Sequence, residues 1–121
     1  MTKIILVEDD DFLIDVYKVK LEKEGFEVEV IKDGAKAFER IKEVKPAVVL
    51  LDIVLPNLDG REILKILKND PETKNIPIIV LSNLAQEEEI QKSMELGAAK
   101  YLVKAQFIPS EIIQEIKKII S

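Results

Sequence analysis

Four acidic residues stand in a row at Glu8, Asp9, Asp10 and Asp11, directly after the apolar run Ile4-Ile5-Leu6-Val7. A further acid, Asp52, follows Val48-Val49-Leu50-Leu51; Ser82 follows Ile78-Ile79-Val80-Leu81, and Lys104 follows Tyr101-Leu102-Val103. Carboxylates crowded at the end of a dry segment repel one another unless something positive neutralises them. A hard divalent cation would do so, and Mg2+ takes one or two carboxylates together with waters and a phosphate. A carboxylate can also attack phosphorus, while an ammonium and a hydroxyl suit the charge on phosphoryl oxygens. Capping explains part of the acid run, because Asp is a good N-cap and acids in a first helical turn face the positive end of the helix dipole. Asp10 and Asp11 fit that role, which leaves Glu8 and Asp9 for an ion.

Taken singly, each residue has a plainer reading. Asp52 is a turn cap, Lys104 a surface lysine, Ser82 a strand-end hydroxyl bonded to backbone, and Tyr101 a half-buried strand aromatic. The functional reading depends on whether the chain brings them to one place.

The elements that would do so are legible. Residues 3–7 are a short continuous apolar strand. Leu13, Tyr17 and Leu21 at i, i+4, i+8 mark a helix over 12–23, ended by Gly25. Residues 27–31 alternate, as an edge strand with one wet face would. Asp33-Gly34 turns into a second helix reaching about Glu43, Pro46 breaks it, and 47–51 is the most hydrophobic strand. Asp59 with Glu62 fits a capping box at the start of a third helix. Residues 78–81 are a fourth strand; Ile90, Met94 and Gly97 mark a fourth helix and its stop; 100–103 are a fifth strand. Pro109 opens a last helix with Ile112, Ile116 and Ile120 on one face. Five βα units in series, with four continuous hydrophobic strands, predict a doubly wound parallel α/β sheet. In such sheets the ligand site lies beyond the carboxyl ends of the strands. Glu8, Asp9, Asp52, Ser82 and Lys104 all fall there.

Composition narrows the chemistry. The 121 residues suit one domain, and 47% hydrophobic with 34% charged is a globular balance. There is no Cys and no His, so thiolate sites, His-ligated zinc and Ser-His triads are excluded. The net charge of −5 argues against a broad nucleic-acid footprint. With no membrane-length apolar run and no signal peptide, the expectation is a cytoplasmic protein without a membrane partner.

The chain resembles the receiver domains of two-component response regulators, similar to the single-domain chemotaxis regulators. The pieces that carry the likeness are ILVEDD, LLDIVLPNLDG, IPIIVLS, the LGA turn and YLVK, in that order, and the likeness covers essentially the whole chain. It implies a flavodoxin-like (βα)5 fold with strand order 2-1-3-4-5, over one receiver domain at 1–121 with no output domain in the chain. It implies that Asp52 accepts a phosphoryl group from a histidine kinase or phosphotransfer partner. Asp9 would bind Mg2+ (or Mn2+) directly, Glu8 mainly through water, and the backbone carbonyl of Val54 would be a further ligand. Ser82 and Lys104 would contact the phosphoryl oxygens. Tyr101 would be the switch aromatic, turning inward as Ser82 moves. The fourth helix, fifth strand and fifth helix would form the face that binds a downstream protein target. The protein would be a signalling module with modest self-catalysed chemistry rather than a conventional enzyme.

The sequence departs from that family in two places. Ala105 follows Lys104 where the family usually has Pro, so a trans peptide or a reshaped loop is expected; a cis bond before Ala costs about 2.5–4 kcal/mol. Asn83 stands where a small residue is usual. Val54 and Leu84 are apolar at positions where they could hinder a hydrolytic water. Three other readings remain open at the level of sequence: a receiver-like interaction protein that is never phosphorylated, a flavin-binding protein, and a phosphatase using Asp52. The flavin reading lacks a Gly-rich phosphate loop after the first strand. The phosphatase reading lacks a second acid shortly after Asp52, where Val54 stands instead. Whether the chain acts alone or as part of a longer protein is not written in these residues.

Overall fold

The apolar runs form five parallel strands: β1 (Lys3–Val7), β2 (Glu27–Ile31), β3 (Val48–Leu51), β4 (Ile78–Ser82) and β5 (Lys100–Val103). This computed structural model describes residues 2–120, so the first and last positions of the expected 1–121 domain lie outside the described residues. The helices are α1 (Asp11–Lys23), α2 (Ala37–Val44), α3 (Gly60–Asn69), α4 (Glu87–Glu95) and α5 (Pro109–Ile120). Single 3₁₀ turns occupy Gly34–Lys36 and Lys104–Gln106. The sheet order is β2-β1-β3-β4-β5, as expected for a flavodoxin-like doubly wound fold.

Alternation along each strand divides the core in two. Ile5, Val7, Val49, Leu51, Ile78 and Val80 face α2 and α3, where Ile41, Ile63, Leu64 and Leu67 meet them. Ile4, Leu6, Val48, Leu50, Ile79 and Leu81 face α1 and α5, against Tyr17, Leu21, Ile112 and Ile116. Each fully buried Leu or Ile contributes on the order of 1.5–3 kcal/mol. The apolar face of α5 is therefore used within the chain. Asp10 caps α1, accepting from the amides of Phe12 and Leu13 at 3.0 and 3.2 Å, and Asp11 pairs with Lys32. Gly25 and Gly97 follow α1 and α4 with φ of 90° and 109°, the left-handed conformation that ends a helix cheaply only at glycine.

Three sequence expectations are revised. β2 is an edge strand whose second face is open to water at Glu27 but covered at Glu29 and Ile31. Ile31 packs in the α2–α3 core, and Glu29 lies under the guanidinium of Arg40. Asp59 caps α3 through the Arg61 amide at 2.8 Å, without the return bond from Glu62 that a capping box requires. The Arg61 guanidinium holds the Asp59 carboxylate instead. On α4, Met94 is 43% exposed, and the inward position is Ser93.

Ser93 Oγ is buried with no hydrogen-bond partner. A hydroxyl in that condition has lost water and gained nothing, at about 1–3 kcal/mol. Ser93→Ala is expected to raise the urea midpoint with an unchanged slope, equivalent to about 1 kcal/mol. An unchanged or lower midpoint would show that the hydroxyl is satisfied in solution.

Candidate functional site

Strand register assembles the site. Val7 is paired with Leu51, so Glu8 and Asp52, the next residues, emerge side by side. The Asp52 amide donates to the Val7 carbonyl at 3.0 Å, and the Glu8 amide to that of Ile31 at 3.1 Å. Ser82 is paired with Val103, which sets Lys104 just beyond the same edge. The five residues singled out from the sequence are thus brought together, with Val54 at the rim.

Lys104 lies at the centre. Its Nζ donates to Glu8 Oε1 at 2.5 Å and to Asp52 Oδ2 at 2.9 Å, with the Lys104 side chain only 9% exposed. Burial pushes the Glu8 carboxyl above its ordinary value; the Lys104 hydrogen bond opposes this and the Asp52 charge adds to it. For Lys104, burial works against the ammonium, but the hydrogen bonds to Asp52 and Glu8 outweigh it and the group sits above its ordinary value. Glu8 Oε2 also accepts from the amides of Asp9 and Asp10 at 3.1 and 3.2 Å. Asp9 is exposed, and carboxylate oxygens of Glu8, Asp9 and Asp52 lie within 4.8 Å of one another.

That donor set fits a hard divalent cation. It is all oxygen, with nothing that zinc or copper would prefer. It carries three negative charges against the one positive charge of Lys104, so a cation relieves repulsion that the protein alone leaves in place. A cleft of about 360 Å3 opens over these groups, with Leu13, Asn83 and Leu84 among its other walls. Val54 projects at its edge, 63% exposed.

Some of the plainer readings hold as well. Asp52 Oδ1 accepts from the Val54 amide at 3.2 Å, and Ser82 Oγ from the Leu84 amide at 3.1 Å. These bonds fix the two side chains at the cleft floor. Tyr101 packs inward on the core, and its hydroxyl donates to the Leu84 carbonyl at 2.6 Å. Burial raises the Tyr101 hydroxyl above its usual range. The peptide before Ala105 is trans, as expected from the sequence.

Sequence reasoning placed Lys104 at the site but missed its bond to Glu8. The signal was there, because a buried Glu next to two other acids needs a partner. It also missed the Leu84 carbonyl as the acceptor for Tyr101, a backbone group that no side-chain pattern announces.

Acids, a lysine and a hydroxyl at the strand ends of this fold suit phosphoryl chemistry, and comparison with known proteins gives the family. The family described as response regulator receiver domain matches residues 4–117. The chain belongs to that family, a signalling module of two-component systems. It is 37% identical over 117 residues to the phosphate regulon transcriptional regulatory protein PhoB of Rhizobium meliloti (strain 1021), covering 97% of this chain and 51% of that protein. It is 34% identical over 120 residues to the alkaline phosphatase synthesis transcriptional regulatory protein PhoP of Bacillus subtilis (strain 168), covering 98% of this chain and 48% of that one. The chain spans about half the length of the curated relatives it matches. Among solved structures, the BeF3-activated N-terminal receiver domain of Klebsiella pneumoniae RstA superimposes with a TM-score of 0.91, at 31% identity and 98% coverage of both chains.

Removing one acid should ease the crowding. Asp52→Asn is expected to raise the melting temperature of the metal-free protein. Mg2+ should raise that of the wild type, by the equivalent of about 1.4 kcal/mol at ten times its dissociation constant. A melting curve unmoved by millimolar Mg2+ would show that the three acids do not act as one site.

Proposed function

We propose that this receiver domain is a switch phosphorylated on Asp52. The observation that supports this best is the buried Lys104 ammonium shared between Glu8 and Asp52 beneath an open cleft. An Asp52 oxygen attacks the phosphorus of a donor, a phosphohistidine of a sensor kinase or a phosphotransfer protein. The P–N bond breaks as the P–O bond forms, and the departing imidazole nitrogen keeps the electron pair and is protonated from solvent. Glu8, Asp9, Asp52 and the Val54 carbonyl would hold Mg2+, with Mn2+ fitting the same donors. When bound, the ion supplies positive charge against the phosphoryl oxygens. Lys104 then exchanges one carboxylate contact for a phosphoryl oxygen, and Ser82 offers its hydroxyl to another.

The readout proposed for this chemistry is a population shift. The domain exchanges between two arrangements, and a phosphoryl group that contacts Ser82 and Lys104 favours one of them. Tyr101 reports which, through its bond to Leu84, two residues beyond Ser82. The responding surface is α4, β5 and α5, and its ligand is a downstream protein. The relatives are named as transcriptional regulators, but nucleic-acid contact is not proposed for these residues, whose net charge is −5. The single receiver domain over 1–121 and a cytoplasmic setting belong to the same proposal. Among the described residues no helix is long and apolar enough to cross a membrane.

Incubation with a small acyl or amido phosphate and Mg2+, followed by intact-mass measurement, tests the chemistry. The expected result is one phosphoryl mass gain in wild type, none without Mg2+ and none in Asp52→Asn. No gain in wild type with any donor would favour an interaction domain that works unphosphorylated.

Val54 and Leu84 both line the cleft, and as apolar groups there they would hinder a water that approaches a phosphoryl group on Asp52. Leu84→Glu and Val54→Asn are expected to shorten the phosphorylated lifetime severalfold, followed as loss of the phosphoryl mass. Unchanged rates in both variants would remove these side chains from the account.

A further inference from the structure

α4 differs from the other helices in having no buried apolar residue. Its N-cap, Gln86, makes no side-chain capping bond, and its one buried residue is the polar Ser93. A cleft of about 280 Å3 separates it from α3, with Arg61, Lys65, Lys92 and Leu96 on its walls. Across this gap Arg61 Nη1 donates to Glu89 Oε2 at 2.7 Å. Among the described residues, this is the one side-chain hydrogen bond or ion pair joining α4 to another element.

Arg61 is itself firmly placed. Its Nε and Nη2 reach Asp59 Oδ1 and Oδ2 at 3.4 and 3.3 Å, while its amide donates to Asp59 Oδ1 at 2.8 Å. Next to it, the Gly60 amide donates to the Ile53 carbonyl at 2.8 Å. A Cβ on Gly60 would lie 2.2 Å from the Asp52 carbonyl oxygen, so α3 begins in direct contact with the Asp52 backbone. At the other end of the pair, Glu89 sits in the first turn of α4. The loop leading into that turn carries Leu84, whose carbonyl accepts the Tyr101 hydroxyl.

We propose that Asp59, Arg61 and Glu89 form an ionic strut that sets the first turn of α4 relative to the Asp52 strand end, and with it the inward position of Tyr101. The proposal rests on the reading of α4, β5 and α5 as the responding surface. Arg61 and Glu89 are positioning residues, and neither lines the Asp52 cleft. Both side chains are 29% exposed, so the pair is a modest bias rather than a fixed joint. A helix with so little apolar anchorage is where a modest bias changes populations most.

Native-state hydrogen exchange of the α4 amides, in the full chain, tests this with Arg61→Gln, Glu89→Gln and the double variant. Each single variant should accelerate exchange in α4 by about two- to fivefold while α1 and α5 are unaffected. The double variant should be no faster than the faster single one, which separates the pair from the effect of removing a helix-end charge. Tyrosine-ring NMR, with Tyr17 as reference, should show Tyr101 alone gaining mobility. Unchanged α4 exchange, additive effects, or acceleration spread over the whole chain would each overturn the strut. The phosphoryl mass gain is expected to persist in Arg61→Gln. Its absence in wild type would overturn the Asp52 reading, while the exchange data would still decide whether the strut exists.

Discussion

A single ammonium lies between two buried carboxylates, and much of the molecule serves to keep it there. Glu8 and Asp52 are adjacent because β1 and β3 pair in one register; a slip of one residue between them would turn one of the two side chains to the opposite face. Lys104 reaches them only because β5 ends level with Ser82. Buried ion pairs of this kind stabilise a fold poorly, since desolvation offsets attraction; here the costly loss would be the shared ammonium, which would leave two buried carboxylates without a partner. The arrangement makes better sense as a store of charge that a ligand can rearrange. The two core layers fix the floor of the site, while the loops above it remain open.

The fold was written plainly in the sequence. Continuous apolar runs such as Val48–Leu51 can be buried on both faces only in a parallel sheet, and the helix stops at Gly25 and Gly97 need a conformation that glycine alone adopts freely. The site residues were legible for the same reason, because strand ends in this architecture share one edge. What could not be read was pairing between elements. Glu29 under Arg40, Asp59 on Arg61 instead of a closed capping box, and Lys104 on Glu8 all depend on which long side chain reaches which acid. Sequence spacing does not encode that. Ser93 was hidden by a pattern that pointed to Met94, since Met94, one of two apolar residues of α4, is left facing water.

The departures from the family pattern fall on one side of the site. Ala105 sits in a short 3₁₀ turn with a trans peptide, and Asn83 stands exposed on the neighbouring loop. Both lie beside Lys104, and neither is among the hydrogen-bond partners of the Glu8 and Asp52 side chains. The charged centre can therefore stay constant while the loops beside it are altered.

The long reach of the Lys104 contacts has a consequence for how the chain is made. Glu8 and Lys104 are 96 positions apart, and Asp52 and Lys104 are 52 apart. During synthesis the acids of β1 and β3 leave the ribosome well before β5 does. Among the described residues, the cation that pairs with Glu8 and Asp52 is Lys104, so until the fifth strand docks these carboxylates lack their counter-charge. The early strands thus carry a mutual repulsion that the last one eases, so the sheet gains its fifth strand and its internal counter-charge in the same step.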